Sequence, residues 1–86
     1  AAGAGVSSEA WVVAQQAISA LEQARNDSVS ALASLDVLYV ARANAVADGK
    51  AAGGMEAIDA ARGAALAIVD AQNDRIDALK ARLAQP

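Results

Sequence analysis

The chain has 86 residues, 26 of them alanine, and a net charge of −3 from seven basic and ten acidic side chains. With neither Cys nor His it has no disulfide and lacks the commonest zinc ligand, and its acidity leaves no basic footprint for nucleic acid or anionic lipid. A core of this size is marginal by itself, so association with another chain is the remaining source of stability.

The composition favours helix. Alanine has the best intrinsic propensity, and the single proline is the last residue. The apolar fraction of 56% overstates the core, because alanine buries little area per residue. Residues 1–7 read as a flexible N-terminal arm, and residues 8–86 as one helical domain. The opening Ala1-Ala2-Gly3-Ala4-Gly5 is compatible with an end left by a signal peptidase, or with a boundary inside a longer polypeptide. Exported, envelope and virion-associated settings all fit it, and the compartment stays open.

The first helix is predicted over about 8–47. Ser7 or Ser8 supplies the N-cap, Glu9 complements the helix dipole, and Val6 with Trp11 forms a hydrophobic staple. Trp11, Ala14, Ile18, Leu21, Arg25, Ser28, Leu32, Leu35, Tyr39, Arg42 and Val46 follow in alternating steps of three and four, the seam of a coiled-coil-like helix. Residues 48–54 break it with three glycines. A second helix is predicted over about 55–85, with the seam Met55, Ile58, Arg62, Ala65, Val69, Gln72, Ile76, Leu79 and Leu83. Gly63 either weakens this helix or marks a close helix contact.

The fold expected is all-α, a long antiparallel helical hairpin. The alternative is a three-helix bundle, in which Asn26-Asp27-Ser28 caps a new helix. For the hairpin, the preferred register sets Leu35 beside Val69, Tyr39 beside Ala65 and Leu21 beside Leu83, with Glu22 and Lys80 flanking. It also places Arg42 opposite Arg62, where Asp36 and Asp59 are near enough to neutralise the pair. A rival register, one heptad away, pairs Leu35 with Arg62 and draws Gly53 and Gly54 into the helix.

In the preferred register residues 9–17 project past the second helix. That overhang and the off-seam apolar residues make Trp11, Val12, Val13, Val37, Val40, Leu66 and Ile68 the candidate interaction surface. No catalytic residue is assigned, since no acid, base or nucleophile has a positioned neighbour. No cofactor or metal site is assigned either. Asp70, Asp74 and Asp77 share one side of the second helix, and a solvated acidic face explains them better than a weak cation site. A membrane span is not expected, because residues 28–47 contain Asp36 and Arg42, at a cost of roughly 2.5–3.5 kcal/mol each in mid-bilayer.

Residues 53–84, with Met55-Glu56-Ala57-Ile58-Asp59-Ala60-Ala61-Arg62 followed by Ala and Leu repeats, resemble helical-hairpin segments of outer-membrane efflux channels of the TolC type. The likeness rests on Ala, Leu and Arg at helical spacing, as in any Ala-rich coiled coil, and it transfers no functional residue. The function expected is that of a non-enzymatic structural or assembly protein, with a homo-oligomer or larger protein assembly as partner. A small helical adaptor, or a bundle enclosing an apolar ligand around Val13, Leu38, Leu66 and Ile68, is the alternative.

Overall fold

The computed structural model of the chain describes residues 7–85. It consists of two helices, α1 (Ser8–Ala47) and α2 (Met55–Ala84), packed against each other as an antiparallel hairpin. Val6, the staple partner expected for Trp11, lies outside the described residues.

The ends of α1 follow from local chemistry. Ser7 Oγ accepts from the Ala10 N–H at 3.2 Å, so the cap falls on the first of the two candidate serines. At the other end the Lys50 N–H donates to the Ala45 carbonyl and the Gly49 N–H to that of Val46. Gly49 has a positive φ of 72°, which completes a Schellman motif. Three local bonds explain why α1 does not split at Asn26. The Ser28 hydroxyl donates back to the Ala24 carbonyl, Asp27 accepts from Gln23, and Asn26 accepts from Arg25. None of the three is left to cap a new helix, and the three-helix alternative is excluded.

All nine predicted seam positions of α2 are at least partly buried. On α1 the seam holds from Ala14 to Tyr39, whereas Trp11, Arg42 and Val46 are exposed. The core is thin: Ile18, Val69 and Ile76, at 3%, 7% and 2% exposure, are its buried residues.

The helices adopt the rival register. Arg25 Nη1 donates to Asn73 Oδ1 at 2.7 Å, and Arg62 Nε to Asp36 Oδ1 at 2.7 Å. Leu79 shares a groove with Val13, Ala14 and Ala17, and Leu32 shares one with Arg62, Gly63 and Leu66. These neighbours place Ile18 beside Leu79, Leu21 beside Ile76 and Leu35 beside Arg62. In the other register Ile18 faces the very end of the chain, which is incompatible with its burial. Glu22 and Lys80 still meet, at 3.4 Å, because a helical side chain leans toward its own N-terminus and the long lysine stem spans the offset.

The objection to this register was the pair of glycines. Gly53 and Gly54 stay outside α2, with positive φ of 102° and 90°. Arg42 lies across them: its Nε donates to the Gly53 carbonyl at 2.6 Å, and a Cβ on Gly54 would sit 3.0 Å from that same nitrogen. The glycines make room for the arginine. The shift also shortens the overhang to about residues 8–12, and Leu79 lines one groove with Ala10, Val13, Ala14 and Ala17.

Candidate interaction surface

Two helices give each other one seam, and everything else faces outward. Ten large apolar side chains are exposed among the described residues, including all seven of the candidate surface. The fold does not gather these seven into one patch. Trp11 and Val12 stand at the open end of the hairpin, where Trp11 keeps 48% of its surface exposed. Val13 belongs to a groove with Ala10, Ala14, Ala17 and Leu79. Leu66 lines a second groove, with Leu32, Asp36, Asp59, Arg62 and Gly63. Val37 and Val40 sit together beside Ala41 and Asn44 on α1, and Ile68 stands apart on α2.

The groove at Leu66 is the most polar of these surfaces. Arg62 is bracketed by Asp36 at 2.7 Å and Asp59 at 3.2 Å, and its guanidinium carbon lies 4.5 Å from the centre of the Tyr39 ring. The hydrogen bond that Arg62 donates to Asp36 is the chief reason that it holds its proton even more firmly than an ordinary arginine; the charges of Asp36 and Asp59 add to it. Arg42, expected in this cluster, is committed to Gly53 instead. The cluster is exposed, and it sets register more than it adds stability.

Sequence reasoning missed two cross-helix anchors, Arg25 to Asn73 and Arg42 to Gly53. The two arginines on the α1 seam were the available signal, because a charge at such a position must find a partner on the other side of the hairpin. Asp70, Asp74 and Asp77 do not form a site: among the described residues no three carboxylates converge. A stretch of α1 is long and apolar enough to cross a membrane, by length and composition alone.

No family model, curated protein or solved structure matches this chain.

Proposed function

We propose that this chain is a non-enzymatic structural or assembly protein whose hairpin packs with copies of itself or within a larger complex. The observation that carries this reading is the imbalance between three buried residues and ten large apolar side chains left exposed. Soluble proteins that expose this much apolar surface use it for association. The radius of gyration, 19.7 Å against about 12 Å for a compact chain of this length, shows how little surface the hairpin hides from water.

Asp36 and Arg42 favour protein over lipid as the covering medium. Both are tied to groups outside α1, Asp36 to Arg62 and Arg42 to the Gly53 carbonyl, and a bilayer around α1 would strip those pairs from the hairpin. The ligand-binding alternative lacks support, because Val13, Leu38, Leu66 and Ile68 enclose no common space. Sedimentation at micromolar concentration tests the proposal. The expected result is an oligomer or a reversible self-association; a fully folded, stable monomer at every concentration would refute it.

A further inference from the structure

Two rows of residues flank the seam on opposite sides of α2, each at seven-residue spacing: Ala61-Ile68-Arg75-Arg82 and Glu56-Gly63-Asp70-Asp77. We infer that the partner is a second copy of the chain. The first row of one copy docks on the second row of the next, with the two α2 helices parallel. The inference rests on the assembly reading above and names its contact.

Both rows face solvent. Ile68 is 53% exposed, and Arg75, Arg82, Asp70 and Asp77 are exposed as well. None of these four charges has an ion-pair partner among the described residues. Gly63 interrupts the acidic row where the groove opens over Leu32 and Leu66, and a Cβ there would meet nothing within 4 Å. A glycine inside a helix costs about 1 kcal/mol relative to alanine, and the single hairpin makes no close approach in return.

The rows fit each other at one offset. With the second copy displaced by five residues, about 7.5 Å along the axis, Arg75 meets its Asp70 and Arg82 its Asp77. At the same offset Ile68 enters the gap at Gly63. Asp74 of the second copy comes between the levels of the two arginines. Glu56 falls opposite Ala61 at the end of the contact, where it stays in water. Lys80 of the second copy comes near Arg82, but its charge is already held by Glu22. Ala64 and Ala71 beside one row, and Ala60 and Ala67 beside the other, let the backbones approach.

Other pairings fit worse. Without the offset Ile68 lies against Asp70. Run antiparallel with Ile68 over Gly63, the rows keep one ion pair, Arg75 with Glu56. Charge and size together therefore select the parallel, staggered arrangement. A contact between two different faces leaves one of each free on the outermost copies, so it builds a ring or a filament.

The test uses the full chain. Sedimentation of the wild type should show species beyond the dimer that grow with concentration. Arg75→Glu with Arg82→Glu sets like charges together and should weaken self-association about a hundredfold or more. Asp70→Arg with Asp77→Arg should do the same. Mixed in equal amounts, the two double variants should associate again, because each supplies the charge that the other lacks. Gly63→Leu fills the gap that Ile68 enters and should weaken association about tenfold or more. Circular dichroism should keep its helical signal in every variant, since all five positions lie off the seam. Gly63→Cys mixed with Ile68→Cys should give a disulfide-linked pair of the two variants under mild oxidation, as the chain has no cysteine of its own.

If the wild type associates but the double variants associate equally well, or do not rescue each other, the contact lies elsewhere. The inference then falls while the assembly reading stands. A wild type that stops at a dimer overturns the inference in the same way. A folded wild-type monomer at every concentration defeats both.

Discussion

Two glycines of this chain have opposite roles, and the contrast is measurable. At Gly63 the backbone is helical and an added Cβ meets nothing within 4 Å, so the close contact that the residue allows is not used inside the hairpin. Gly63→Ala should stabilise the fold by about 1 kcal/mol, through helix propensity alone. Gly54→Ala should destabilise it by a similar amount or more, since φ is 90° and the new Cβ abuts Arg42. Paired thermal melts check both signs. Gln72 is a third informative position: its Oε1 is buried in the seam without a hydrogen-bond partner. Gln72→Leu should therefore raise stability by about 1 kcal/mol, and an unchanged or lower melting temperature would show that this oxygen is satisfied in solution.

The two helices and the turn between them were legible because their signals are local. Serine caps, an unbroken three-four alternation and clustered glycines each act within a few residues. The register was not legible. Shifting either helix by one heptad sets apolar residues against apolar residues again, so the hydrophobic pattern is nearly indifferent between the two registers. What decides is polar and stereochemical: Arg25 finds Asn73, Arg62 finds Asp36, and Arg42 needs the bare backbone at Gly53 and Gly54. The candidate surface was legible as a set of exposed residues but not as a site. Its dispersal over two helices follows from the register, and from a single seam that leaves most of each helix outside. A crosslinking pair tests the register directly. Leu35→Cys with Arg62→Cys should form an intramolecular disulfide readily, whereas Leu35→Cys with Val69→Cys should not. The reverse preference would return the hairpin to the register first expected.

The whole molecule is a rod, 15 × 12 Å in cross-section and built on a helix of 40 residues, about 60 Å long. Its stability should depend on concentration, because association adds the burial that the single hairpin lacks. The melting temperature should rise as the chain is concentrated from the low micromolar range upward, and one that stays constant would mean that the hairpin is self-sufficient. The antiparallel packing of the helices also brings Ser8 and Ala84 to the same end of the rod. Tension applied between those two points peels the seam one layer at a time, from Ile18 and Leu79 toward the glycine turn, and therefore at low force. Tension applied lengthwise, from the turn to Ser8, runs instead through the backbone hydrogen bonds of a single continuous helix. The same rod is thus a weak clasp across its open end and a stiff strut along its axis.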